Sequence, residues 1–333
     1  MPFSEDAQIM ETSEGLVSTL RSAASQHTQE FRPAHAKGHL LTGVFTPTRS
    51  ASILTHAPHF NTPSTSITVR FSSSTGLPQI PDTDAFANPR GIAVRFHLSE
   101  ADGRRQHTDI VAHSTKYFPT RTGAEFLEFL HAVGGPNAQE SVPEFLGHHP
   151  ETLRFLQDPK PSPVSFATEK FFGVNAFHFV KDGKITTLRY RIVPVAGEQH
   201  LDVKALKLKS PTYLFDEIPQ RLRSGPILFK LLAQIAKEGD VSDDATVLWP
   251  EEREVVELGE LKIEKMLNEE ESSVQQKRII FDPIPRVEGV RPSDDPLLEV
   301  RANVYLISGR QRRAAQGGDG VEEDSVEAVK ATT

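Results

Sequence analysis

The chain contains no cysteine. Disulfides, thiolate nucleophiles, zinc–thiolate sites and iron–sulfur clusters are therefore excluded. Other sulfur is scarce too, with three methionines. Few oxidisable sulfurs suit a protein that handles oxidants, although drift in composition gives the same result. No apolar run approaches the length of about 18 residues that a membrane-spanning helix needs. There is no basic tract, and the net charge is −8. That balance opposes a nucleic-acid partner and favours solubility. The opening Met-Pro-Phe-Ser-Glu-Asp lacks the charged-then-apolar pattern of a secretory signal, and the closing Lys-Ala-Thr-Thr is not a peroxisomal address. The cytoplasm is the expected compartment, with no membrane partner.

What is present is enough for a sizeable core: 333 residues, 37% hydrophobic and 25% charged. There is no internal repeat and no long linker, so one main domain is expected. Residues 14–27 read as a helix, with Leu16, Leu20 and Ala24 on one face. Residues 66–73, 91–98 and 106–113 read as strands. Turn signals at Thr75-Gly76-Leu77-Pro78 and Asn88-Pro89-Arg90-Gly91 separate the first two. Residues 122–134 and 142–157 form amphipathic helices. A hairpin follows, with strands 171–180 and 185–195 about Lys181-Asp182-Gly183-Lys184. Residues 213–238 read as mostly helical with a break at Gly225-Pro226, and 254–263 as a last strand. Residues 293–314 form a final helix, with Ser293 as N-cap, acids in the first turn and Pro296 where its missing N–H costs nothing. Adjacent strands with appended helices place the fold in the α+β class around an antiparallel sheet.

Two segments carry chemistry. Arg32-Pro33-Ala34-His35-Ala36-Lys37-Gly38 holds a histidine in a run that a proline starts and a glycine ends, which bars a regular helix. Gly38 is expected to relax the backbone beyond the imidazole. A histidine held this way, flanked by Arg32 and Lys37, reads as a positioned acid or base. In the final helix, about 100° per residue puts Leu297, Arg301, Tyr305, Ser308 and Arg312 on one stripe. Taken alone, that stripe is expected to face solvent, because a buried one needs a partner for every polar group. Taken with His35 it has another use. A tyrosine with an arginine four residues earlier on the same face can be held as phenolate, and tyrosinate is an iron-haem ligand. Arg70 and Ser72 leave one face of their strand together. His35 with His39, and His56 with His59, have helical metal-ligand spacing, but Gly38 and Pro58 argue against a helix in each case.

These pieces resemble haem catalases, in family order. They are Arg32 to Gly38, Gly43-Val44-Phe45, Val69-Arg70-Phe71-Ser72 and Asn88 to Phe96. Then come Thr108 to Ser114 with Phe118-Pro119-Thr120-Arg121 and Phe126, and Arg301 with Tyr305, Arg310 and Arg312. The resemblance spans roughly residues 30–314 and is closer to the short, catalase-related branch, whose members are about this long. It implies an antiparallel β-barrel of the catalase type over 31–314, with appended helices and a proximal haem-ligand helix. A helical arm over 1–30 and a disordered acidic tail over 315–333 complete the expectation.

The resemblance also implies haem b, with Tyr305 as the axial iron ligand and Arg301 stabilising its phenolate. His35 would be the distal acid/base and Ser72 would hold its ring. Arg32, Arg70 and Arg312 would pair the propionates, and Phe118 and Phe126 would pack against the porphyrin or its channel. His113 stands where the family places an asparagine that orients peroxide. An imidazole there, which can take up a proton, favours a peroxidase using peroxide and a small organic electron donor. The alternatives are dismutation of hydrogen peroxide, rearrangement of fatty-acid hydroperoxides, and a haem-carrying barrel without turnover. A homo-oligomer is left open.

Overall fold

A computed structural model describes residues 2–25, 29–101 and 104–315. The expected acidic tail beyond residue 315 lies outside the described residues. Among the described residues, ten strands carry the fold: β1 (Gly38–Pro47), β2 (Thr65–Ser72), β3 (Gly91–Ala101), β4 (Arg104–His113), β5 (Phe171–Phe172), β6 (Phe177–Lys181), β7 (Lys184–Pro194), β8 (Ile227–Ile235), β9 (Val255–Met266) and β10 (Val290–Pro292). Their order is β10-β6-β7-β5-β4-β3-β2-β1-β9-β8, and a β7–β8 pairing closes the ring. Because β5 and β6 lie along one side of β7, the sheet is a closed antiparallel barrel of eight staves.

The inner face follows a period of two. Phe45, Ile67, Val69, Phe71, Ile92, Val94, Phe96, Ile110 and Ala112 all enter one core with Ile192, Phe229 and Leu231. Each fully buried phenylalanine or large aliphatic contributes about 1.5–3 kcal/mol by leaving water. Edge-on ring pairs such as Phe45–Phe96, with centroids 5.1 Å apart, add direction to that burial. His59 joins the same packing, 4.7 Å from Phe96 and 2% exposed, and its Nδ1 has no hydrogen-bond partner among the described residues. That burial pushes the imidazole down to about 3.

Helices surround the barrel: α1 (Ala7–Ala23), α2 (Arg49–Leu54), α3 (Gly123–Gly134), α4 (Ala138–His148), α5 (Pro150–Gln157), α6 (Val203–Lys207), α7 (Tyr213–Ser224), α8 (Glu269–Arg278) and α9 (Leu297–Ala314). The hairpin turn matches its sequence signal, with Asp182 and Gly183 both at positive φ. Other expectations shift. The first helix starts earlier, where the Asp6 carboxylate caps it. The helix expected over 142–157 is two helices, divided at His149-Pro150.

The largest difference is at 227–235. Ile-Leu-Phe-Lys-Leu-Leu reads equally as a helix, but α7 ends at Ser224 and the chain runs on as β8. Pairing on both sides, with β7 and β9, decides it over local propensity. Ser293 is not the cap of α9. It lies outside the helix with its N–H on the Ala176 carbonyl, and the Asp295 carboxylate receives the Leu297 N–H instead.

Candidate functional site

The site is built on the outer face of β1 to β4. Residues that alternate with the core here are Leu40, Arg70, Ser72, Ala93, Val111 and His113. Leu40, Ala93 and Val111 form an apolar floor with Leu267, Ile279 and Phe281. Opposite stands α9, which packs mainly on α1, α8 and α3. Its polar stripe turns inward: Leu297, Ser308 and Arg312 are buried, and Arg301 and Tyr305 half-buried. The expectation of a solvated stripe fails for that reason. Arg301 on the helix lies near enough to act on both His35 and His113 of the barrel side, and the cleft is the region between helix and wall.

On the barrel side, His35 sits in the left-handed region at φ 55. That is uncommon for a residue with a side chain and marks a constrained position. The sequence placed the backbone freedom at Gly38, but Gly38 serves for space. A Cβ there would lie 2.4 Å from the Arg70 guanidinium. Gly91 does the same beneath the imidazole, where a Cβ would meet Ser72 Oγ at 2.6 Å and His35 Nδ1 at 3.0 Å. His35 Nδ1 and Ser72 Oγ are 3.1 Å apart. Burial, then the Arg70, Arg301 and Arg32 charges, push His35 down to about 4, so its ring is neutral near pH 7.

His113 pairs across the sheet with Gly91, which brings it beside His35. Its Nδ1 lies 2.7 Å from Thr115 Oγ1. Burial, then the charge of Arg301, hold it at about 3. Both imidazoles are half-buried and keep accessible surface.

Across the cleft, Arg301 donates to the Tyr305 oxygen from Nη2 at 3.1 Å and from Nε at 3.4 Å. Its Nη1 donates to Asn175 Oδ1. Asn175 Nδ2 in turn donates to Asp295 Oδ2 at 2.8 Å. Asn175 and Asp295 therefore fix the fork of Arg301; the sequence marked Asp295 only as an acid at the start of the helix and Asn175 not at all. They come from the β5–β6 link and the turn before α9, far apart along the chain.

At one end of the cleft three cations meet. Arg32 and Arg312 both donate to the Ile279 carbonyl, at 3.2 and 2.9 Å. Arg70 donates to the carbonyls of His35 and Ala36 and to Gln276 Oε1. Burial and then the neighbouring guanidinium push Arg70 down to about 9 and Arg312 to about 8. Arg32 is driven well below its usual value by burial and then by Arg70. Guanidinium does not give up its proton in proteins. The crowding is therefore an electrostatic demand for anions, and the buried Arg312 Nε has no partner among the described residues.

Phe118 and Phe126 pair with each other, centroids 5.1 Å apart, and Phe118 packs on Val174, Ala245 and Leu297. The structure places Leu297, the first residue of the stripe, beside them. Arg310 is exposed, over the Phe3 ring. His39 binds the Leu267 carbonyl and His56 pairs with Asp182, so neither histidine pair is arranged around a common centre.

These residues offer a bound group an apolar surface, a tyrosine oxygen held by a guanidinium, two neutral imidazoles and a crowd of cations that demands anions. Comparison with known proteins gives the family. A family model described as Catalase matches residues 16–317. A catalase-related peroxidase of Mycolicibacterium paratuberculosis is 32% identical over 292 residues, 86% of this chain and 90% of that protein. One from Synechococcus elongatus is 28% identical over 291 residues, 84% of this chain and 83% of that protein. The fold is that of catalase A from Saccharomyces cerevisiae, with a TM-score of 0.75 at 19% identity over 89% of this chain and 64% of that one. The match runs through both walls of the cleft, and on it this chain belongs to the catalase family, oxidoreductases that act on peroxide with iron haem.

Proposed function

We propose that this protein is a haem b peroxidase that opens hydrogen peroxide or an organic hydroperoxide and oxidises a small organic donor. What supports the reading is the gathering of His35, Ser72 and His113 on the barrel wall within reach of the Arg301 charge, the Arg301–Tyr305 bond on α9, and three arginines at one end. Haem, when bound, supplies the redox chemistry. Tyr305 would hold the iron. Arg32, Arg70 and Arg312 would pair the propionates, which need charged partners once out of water.

The chain's own groups do the rest. His35, neutral at working pH, takes the proton from one peroxide oxygen and returns it to the other as the O–O bond breaks. Ser72 holds the ring in place. The two donors of Arg301 aimed at the Tyr305 oxygen favour the anionic ligand. His113 favours peroxidase over dismutation. It is a second imidazole at the position where an amide is implied, held neutral near pH 7 by burial and the Arg301 charge, so it would act on a second peroxide as a hydrogen-bonding group and not by taking up a proton.

The test follows the haem-loaded protein by its optical spectrum while peroxide is added, with an oxygen electrode and a phenolic dye in parallel. A Soret band, dye oxidation and little oxygen release are expected. Vigorous oxygen release with little dye oxidation would move the assignment to dismutation, and no Soret band would remove haem.

A further inference from the structure

The distal base hangs from the anion end of the cleft through one side chain. Arg70 Nη2 donates to the His35 carbonyl at 2.9 Å and to the Ala36 carbonyl at 3.2 Å. These carbonyls belong to the turn in which His35 takes its left-handed φ of 55. Such a backbone persists only when its surroundings over-determine it. Arg70 is itself steered from two sides. Its Nε donates to Gln276 Oε1 at 2.8 Å, and Gln276 Nε2 donates to Ser272 Oγ, which receives the Leu40 N–H. Its guanidinium also lies so close over Gly38 that a Cβ there would come within 2.4 Å. Arg312, the other buried cation of the cluster, makes no such bond. It donates to Ser308 Oγ and the Ile279 carbonyl.

We propose that Arg70, aligned by Gln276 and Gly38, is a positioning residue for His35, so that the grip on an anion and the aim of the distal base share one side chain. The inference rests on the haem peroxidase reading and adds to it a division of labour among the arginines. Arg312 serves retention of the group alone. Arg70 serves retention and also fixes the carbonyls that set the direction of the imidazole. Gln276, bonded to Arg70 and Ser272, acts on His35 through Arg70.

Cyanide association with the ferric, haem-loaded protein reads the aim of the base without turnover. Hydrogen cyanide must hand its proton to a distal base as it binds. Four variants are compared at full haem loading, with His35→Ala marking the rate when the base is gone. Gln276→Leu and Gly38→Ala are expected to slow cyanide association by about tenfold, toward the His35→Ala rate, and to weaken haem retention less than Arg70→Gln does, because Arg70 keeps its charge. Arg70→Gln should slow association and weaken retention together. Arg312→Gln should weaken retention as much as Arg70→Gln and slow association less than Arg70→Gln does.

Should Arg70→Gln fail to hold haem, Gln276→Leu decides. Association at the parental rate in Gln276→Leu overturns the positioning role, as does equal slowing in Arg312→Gln. A parent protein that binds no haem, or associates with cyanide as fast without His35, sinks the peroxidase reading itself. The two failures are thereby distinct.

Discussion

In the eight residues of β2, Ile67, Val69 and Phe71 point into the barrel, while Thr68, Arg70 and Ser72 point out. The inner set is complete by itself. Its members are 0–1% exposed and touch apolar neighbours from the other staves. The outer set is not complete. Arg70 is 3% exposed, yet it lies among other cations and peptide carbonyls with no carboxylate bonded to it among the described residues. One strand thus carries a face that stabilises the fold and a face that holds a buried cation at an electrostatic cost. Substitutions should separate the two.

The sharpest separation is expected opposite the outer face. Tyr305→Phe removes the oxygen that both donors of Arg301 address, and should abolish or greatly weaken retention of ferric haem while leaving the barrel folded. Absorbance per mole of protein after gel filtration checks it, and an unchanged spectrum removes the axial assignment. Next comes His35→Ala. Haem should stay, and the second-order rate of peroxide cleavage should fall by about 10²–10⁴, the usual worth of positioned acid/base help. Stopped-flow mixing with peroxide measures it.

Within β2 the contrast is direct. Phe71 stacks on Phe166 with centroids 4.8 Å apart and is fully buried. Phe71→Ala should cost about 3–5 kcal/mol of unfolding free energy, since a large ring leaves a cavity in a closed core. Ser72→Ala, one residue on and facing the other way, should cost about 1 kcal/mol or less, the net worth of one hydrogen bond. Its effect belongs in the peroxide rate. Urea titration of both variants tests this, and equal losses would mean that the outer face is part of the core.

Those two faces were unequally legible in the sequence. The alternation in Ser66 to Phe71 and in Gly91 to Phe96 announces strands because the period is local. β8 escaped because Ile227 to Ile235 is apolar at both periods, and only its two partner strands decide between them. In the cleft, His35, Ser72, His113, Arg301 and Tyr305 could be named because each lies in a short run that resembles a catalase segment in family order. Whether their roles are those named is the business of the variants above. Asn175, Asp295, Thr115 and Gln276 could not be named. Each matters through a partner distant in the chain or through an ordinary polar contact. Asn175 meets Arg301 across 126 residues and Gln276 meets Arg70 across 206.

The smallest effect concerns a histidine on the inner side. His59 sits among Phe45, Phe60 and Phe96, and burial alone lowers it to about 3, against about 6.5 when unfolded. Between those values the unfolded chain binds a proton there that the folded chain refuses. Stability must therefore rise with pH across that window and fall as the solution is acidified. Above about 6.5 the group is neutral in both states and contributes no slope; below about 3 it is protonated in both and the loss has saturated. His59 should supply up to about 1.4 kcal/mol per pH unit near pH 4–6.

His35 and His113 act in the same direction, but from the cleft, where a bound group changes their surroundings. His59→Leu should flatten the pH dependence of unfolding by about one proton, in haem-free and haem-loaded protein alike. Urea midpoints from pH 4.5 to 7 provide the measure. A variant with the parental slope would mean that His59 meets water in the folded state, and the inner face would then not be the dry half of the comparison.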